Sequence, residues 1–310
     1  MGDGRTCRHR ENVSELCGFL CTLPSERDAY IYSEAYIAVH PDAKEGLKKL
    51  NQFYNDGLIT PDFPADTSED QYKADMSNGK AAFTLADTTQ VWEYAATLNT
   101  EKGIDVSFVP VMPFELPDGS YRTPFEYRYA MFVMIPATVS DEKAVKAMQY
   151  LNWMADPEVA VQIRHSPDLT YNSLGVAVEP TSTEKEEKGY PGTLDDLCIM
   201  TLNFAWVNDW DVMSQTNYET QEQDWATVDW YRNYYDVCNV GKFRYPTYGY
   251  IPEAEATYGA SVKSEMIQFV YTVITASDFE SAYTNGMNNL NTAHLQDILD
   301  QRGEYYDSIH

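Results

Sequence analysis

VHPDAKEGLKKLNQFYNDGLITPDFPADTSEDQYKADMSNGKAAF, residues 39–83, sets out a helix, a stop, an acidic loop, a second short helix and a turn, in that order. Leu47, Leu50, Phe53 and Tyr54 recur at helical spacing and give residues 42–56 one apolar face. Gly57 follows the last polar turn, where a left-handed cap costs glycine least. Pro61 and Pro64 forbid continuation of the helix. Residues 69–77 suit a short second helix. Asn78-Gly79 is a turn signal ahead of the small-residue run 81–86, which reads as a strand.

Outward from this stretch, the same signals recur. Tyr30 to Val39 alternates large and small residues and is expected to be a strand. Thr88 to Asn99 reads as a helix carrying Trp92 and Tyr94, and Val106 to Val111 as a buried-type strand. Tyr127 to Ile135 is apolar and stops at Pro136, again a strand pattern. Ser140 heads a helix with Asp141 and Glu142 in its first turn, where the helix dipole favours acid. Val145, Met148, Leu151 and Met154 form the expected buried stripe of that helix. Asp156-Pro157 restarts a helix with cap and first-turn residues in their preferred order. Residues 165–197 read as loops, and Glu184 to Lys188 as a solvated charged face. Residues 253–275 predict a long helix with Val262, Met266, Phe269, Val270 and Val273 inward. Ser277 to Glu280 reads as a capping box opening the last helical segment, which carries Phe279, Tyr283, Leu290 and Ile298.

Composition bounds the function. The chain has 310 residues and a formal charge of −26, from 48 acidic against 22 basic residues. Such a surface repels phosphate backbones and anionic lipid, so no nucleic-acid partner is expected. No segment approaches the ~20 apolar residues of a membrane span. Aromatic residues make up 14%, with 24 Tyr, 12 Phe and 6 Trp. Flat rings with polar edges suit the apolar faces and hydroxyl rims of sugars. Five cysteines, Cys7, Cys17, Cys21, Cys198 and Cys238, cannot all pair within one chain. Cys17 and Cys21 are spaced like a ligand pair, but Cys7 and His9 do not make a usual second pair, so no metal site is assigned.

Three phrases resemble the extracellular solute-binding proteins of bacterial ABC importers, family 1, sugar type. The first is Tyr54-Asn-Asp-Gly-Leu-Ile59 followed by Asn78-Gly-Lys-Ala-Ala82. The second is Pro136-Ala-Thr-Val-Ser140, then Ala147 to Trp153, then Asp156-Pro-Glu158; its opening is one residue longer than the family's. The third is the ending, residues 279–307, since proteins of this family often close with a helix pair. The resemblance covers about residues 30–165 and 255–307. It implies a type II periplasmic-binding-protein-like α/β fold of two lobes. Its N-terminal half-lobe is expected to be missing or truncated, since the first βαβ half is not recognisable. Residues 1–28 read as an atypical segment without a clear signal or lipoprotein cleavage site, 29–126 as an α/β lobe segment, and 127–310 as a cross-over strand with a helix-rich part shared between lobes.

The function implied by the resemblance is capture of a sugar or oligosaccharide outside the cell, or at its surface, and delivery to the transmembrane subunits of an ABC permease. The protein would act as a monomer, with no cofactor and no catalysis. Candidate ligand contacts are Asp87 and Trp92 after the small-residue strand, Tyr127 and Tyr129 at the lobe crossing, and Trp206, Asp209 and Trp210 in NFAWVNDWD. Each ring also has an ordinary core reading. The family's glycine-rich G-x-E-G phrase is absent, Leu174-Gly175-Val176 being its nearest remnant. No G-x-S-x-G, H-E-x-x-H, P-loop or G-x-G-x-x-G occurs. The alternatives are a carbohydrate-active enzyme such as a glycoside hydrolase, whose carboxylate pair abundance alone cannot identify, and an inactive fragment of a binding protein.

Overall fold

The structure is a computed structural model of the chain. It describes residues 21–65, 70–84, 88–112, 114–116, 118–124, 133–156, 158–159, 170–175, 177–178, 180–189, 209–220 and 225–310. The chain divides into two compact units, residues 1–126 with 237–310, and residues 127–236.

In the first unit, Ser25 caps α1 (Glu26–Ile31), its hydroxyl oxygen accepting the Asp28 N–H at 3.0 Å. A 3₁₀ turn (Glu34–Val39) leads into α2 (Ala43–Asn55). Then come α3 (Asp70–Ser77) and α4 (Thr88–Ala96), which runs on into a π turn (Thr97–Glu101), and β1 (Thr123–Pro124). The second unit holds α5 (Asp141–Met154), the strands β2 (Thr170–Tyr171) and β3 (Ala177–Val178), α6 (Ser182–Glu187), α7 (Trp210–Thr220) and most of α8 (Val228–Asn239). Back in the first unit, β4 (Lys242–Phe243) pairs parallel to β1, and α9 (Glu253–Thr275), α10 (Phe279–Thr292) and α11 (Leu295–Ile309) follow.

The core of the first unit is helix on helix. Helix α9 packs against α2, α10 and α11 and buries Val262, Met266, Phe269, Val270, Val273 and Ile274. Helix α2 answers with Ala43, Leu47 and Leu50, one face at i, i+4 and i+7. Each of these Val, Leu, Ile, Phe and Met side chains contributes about 1.5–3 kcal/mol on burial. The chain packs α10 closely on α9 at Gly286, where an added Cβ would stand 2.4 Å from the Phe269 ring. Cys21 and Leu23, in the segment read from sequence as atypical, are both buried in this core.

The stop expected at Gly57 and the turn expected at Asn78-Gly79 are both built. Gly57 has φ +75°, and the Leu58 and Gly57 amides donate to the Phe53 and Tyr54 carbonyls, the double bond of a Schellman cap. Gly79, at φ +67°, repeats it through Lys80 to Asp75 and its own amide to Met76. The helices expected at 42–56, 69–77, 88–99, 140–154 and 253–275 all form.

The polar core was not foreseen. Arg302 is buried and donates to Glu255 Oε2 at 2.8 Å, to the Tyr30 and Ile31 carbonyls at 3.0 and 2.9 Å, and to Ser33 Oγ at 2.9 Å. It thereby satisfies the Ile31 carbonyl at the end of α1 and adds a second donor at that of Tyr30, which also accepts the Ser33 N–H at 3.3 Å. The Asn51 side-chain amide does the same for α9, donating to the carbonyls of Val273, Ile274 and Ala276 at 2.7–2.9 Å.

The strand expectations fare differently. The described residues are mostly helical, with four two-residue strands in two pairs. Residues 30–39 form helix and 3₁₀ turn. Tyr30, Ile31 and 36–39 are all buried, and a run buried on every side shows no period that separates strand from helix. Residues 106–111 form no strand. The Asn99 side chain accepts from Val106 N–H at 2.7 Å and donates to Val106 C=O at 3.1 Å, taking the place of a neighbouring strand, while Val109 and Val111 stay exposed. None of residues 81–84 or 133–135 is in a strand; the remainder of both expected strands lies outside the described residues.

Three smaller expectations are corrected. Residues 182–187 are helical, opened by a Thr181/Glu184 capping box, where loop was expected. The cap of α10 is Asp278, whose carboxylate accepts the Ser281 N–H at 3.1 Å, one residue later than the predicted box. The last segment is two helices, broken at His294 with φ +76°. No described helix is long and apolar enough to cross a membrane.

Candidate functional site

Asp209 and Trp210 fall together at the start of α7. Asp209 Oδ1 accepts the amides of Asp211 and Val212 at 3.0 and 3.1 Å, so this carboxylate caps the helix. Capping fixes where α7 begins and so where Trp210 projects. The Trp210 ring lies flat on Tyr235 of α8, centroids 4.9 Å apart and planes 17° apart. Tyr235 is buried while Trp210 is 36% exposed, so one ring is a rigid backing and the other keeps a solvent-facing surface.

The backing extends along α8. Tyr235 meets Tyr234 edge-on at 5.4 Å, Tyr234 stacks on Trp230 at 5.9 Å with planes 2° apart, and Trp230 meets Trp225 edge-on at 5.3 Å. Tyr231, beneath this row, is fully buried, and burial pushes its hydroxyl up to about 12, so it stays a neutral phenol. Polar groups flank the row. Arg232 Nε donates to Asp211 Oδ1 at 2.9 Å, and its NH1 to Asp229 Oδ1 at 3.3 Å. On α7, Thr216 accepts the Asn172 side-chain amide from the β2–β3 hairpin at 3.2 Å.

Of the other predicted contacts, Trp92 sits half-buried on α4 in the first unit, two residues before Tyr94, which is buried and packs edge-on against Tyr72 at 6.1 Å. Asp87, Tyr127, Tyr129 and Trp206 lie outside the described residues. Tyr235 and Arg232 were missed. Their signal was present in 225–235, WATVDWYRNYY, where aromatic residues fall at 230, 231, 234 and 235 on one helix, with Trp225 just before it.

A separate cluster lies in the first unit. Cys21 Sγ is 3.0 Å from His40 Nδ1, both residues are buried, and Asp42 lies beside them at the surface. The Asp42 backbone N–H donates to the same Nδ1 at 3.1 Å. A backbone amide only donates, so Nδ1 carries the lone pair and the ring proton sits on Nε2. Burial pushes the Cys21 thiol up to about 11 and holds His40 below its ordinary range. A thiol so held is a poor nucleophile, which argues against a Cys–His catalytic pair. No family model, curated protein or solved structure matches the chain.

Proposed function

We propose that this protein captures a carbohydrate outside a bacterial cell and hands it to the permease of an ABC importer, on a two-lobed type II binding-protein scaffold. The sequence phrases supply the scaffold reading, and the two Schellman stops at Gly57 and Gly79 are in keeping with their order. The observation that carries the ligand class is the Trp210–Tyr235 stack. An indole about one-third exposed and held flat by a buried phenol presents the C–H face of a pyranose with a surface already fixed in place, so little side-chain entropy is lost on binding. Asp209, held in place by its own cap bonds through Oδ1, and the charged side chains of Asp211 and Arg232 supply hydroxyl partners at the rim.

The test is calorimetric titration with mono- and oligosaccharides, followed by recovery of the sugar. Saturable binding with the sugar returned unchanged is expected. Trp210→Ala is expected to weaken it about tenfold, ~1.4 kcal/mol. Release of shorter sugars would replace this reading by a carbohydrate-active enzyme. Absence of binding across the panel would overturn it.

A further inference from the structure

We propose that Cys21, His40 and Asp42 form a site for a thiophilic divalent cation, Zn²⁺ by the chemistry of the donors. Sulfur, imidazole nitrogen and carboxylate oxygen converge here, all within 4.8 Å of one another. A tetrahedral zinc centre holds such atoms about 3.3–3.5 Å apart, from bond lengths of ~2.0–2.3 Å. The Cys21–His40 separation of 3.0 Å therefore opens by a few tenths of an ångström, and the Asp42 carboxylate swings inward. That carboxylate is exposed, and its Oδ2 accepts the hydroxyl of Thr22, the neighbour of Cys21, at 2.5 Å, a bond that gives way as the carboxylate turns to the ion.

Two features distinguish this set from a chance grouping. The lone pair of His40 is directed at the sulfur, with the tautomer fixed by the Asp42 amide and the ring braced edge-on by Tyr32 at 4.7 Å. Sulfur and nitrogen are buried while the third ligand faces water, so a solvent molecule completes the fourth position. On binding, the Cys21 S–H bond breaks, a metal–thiolate bond forms, and one proton leaves to water. The two hydrogen bonds to Nδ1 are exchanged for one coordinate bond. The ion ties the segment before α1 to the corner between the 3₁₀ turn and α2, so it acts as a staple on the first unit. This inference is independent of the carbohydrate reading.

The test uses the full chain, reduced and metal-free, titrated with Co²⁺. The expected result is a thiolate-to-cobalt charge-transfer band with the intense visible bands of tetrahedral cobalt, displaced by one equivalent of Zn²⁺, and a melting temperature that rises with Zn²⁺. Changing Cys7, Cys17, Cys198 and Cys238 to Ser leaves Cys21 as the sole thiol. The band should survive in that variant and vanish in Cys21→Ser and His40→Gln. A band that persists in Cys21→Ser, one lost from the sole-thiol variant while its circular dichroism is unchanged, or no band at all, would overturn the proposal. The −26 charge attracts cations at many carboxylates, but those carry no sulfur and give no such band.

Discussion

Helix α9 in the first unit and helix α5 in the second both carry apolar residues at three- and four-residue spacing. In α9, Val262, Met266, Phe269 and Val273 are almost completely buried. In α5, Val145 and Met148 of the expected stripe are 55% and 49% exposed, Leu151 is partly exposed and only Met154 is fully covered; Trp153, beside the stripe, is 47% exposed. Trp153 instead stacks on Tyr150, 5.9 Å away. Periodicity states that a helix has an apolar face. Whether that face is buried depends on a partner helix, which α9 has in α2, α10 and α11.

The largest expected effect tests whether the first unit depends on its buried polar link as well as on apolar packing. Arg302→Met removes the guanidinium and takes its bonds from Glu255 Oε2, the Tyr30 and Ile31 carbonyls and Ser33 Oγ, leaving a largely buried carboxylate without its cation. A buried partner stranded in this way costs about 3–5 kcal/mol, read as a lowered urea midpoint. A loss below about 1 kcal/mol would place the pair among exposed ion pairs of little worth. The comparison itself is sharpened by matched truncations. Met266→Ala in α9 should cost about 2–5 kcal/mol. Met148→Ala in α5 should stay within about 0.5 kcal/mol, as for other surface sites. Equal costs would mean that α5 is covered in solution.

The same contrast explains what was legible in the sequence. Local signals were readable: Gly57 as a stop, Gly79 as a turn, Leu47 and Leu50 as one face, and five inward residues of α9. What failed needed a partner distant in sequence. Val106–Val111 has a strand's composition, yet a strand exists only through its neighbour, and here the Asn99 side chain meets the backbone of Val106 instead. Arg302 and Asn51 look like ordinary surface residues until the chain brings the ends of α1 and α9 against them. At the candidate site, Trp210 was legible as an aromatic beside a carboxylate. Its backing by Tyr235, 25 positions later, was not, because nothing in a linear pattern states which rings will stack.

The smallest expected effect is a pH dependence that belongs to the first unit. His40 is held below its ordinary value of 6.5 by burial, with the Asp42 charge opposing. As pH falls through 6.5, the unfolded chain takes up a proton that the native imidazole refuses, so the unfolded state binds more protons and stability declines. Cys21 acts at the other end. Its thiol ordinarily ionises near 9.0 but in the fold only near 11, so in that window the unfolded chain has lost a proton that the native state keeps, and stability declines as pH rises. In the second unit Tyr231, raised from 10.0 to about 12, adds a decline of the same sign that begins only as pH approaches 10. Urea midpoints in metal-free buffer, from roughly pH 5 to 10, should therefore fall gently at both ends. Cys21→Ala should flatten the alkaline side and leave the acid side in place, because only the alkaline decline requires the thiol. An alkaline slope unchanged in that variant would assign the decline to other groups and remove Cys21 from the account of stability.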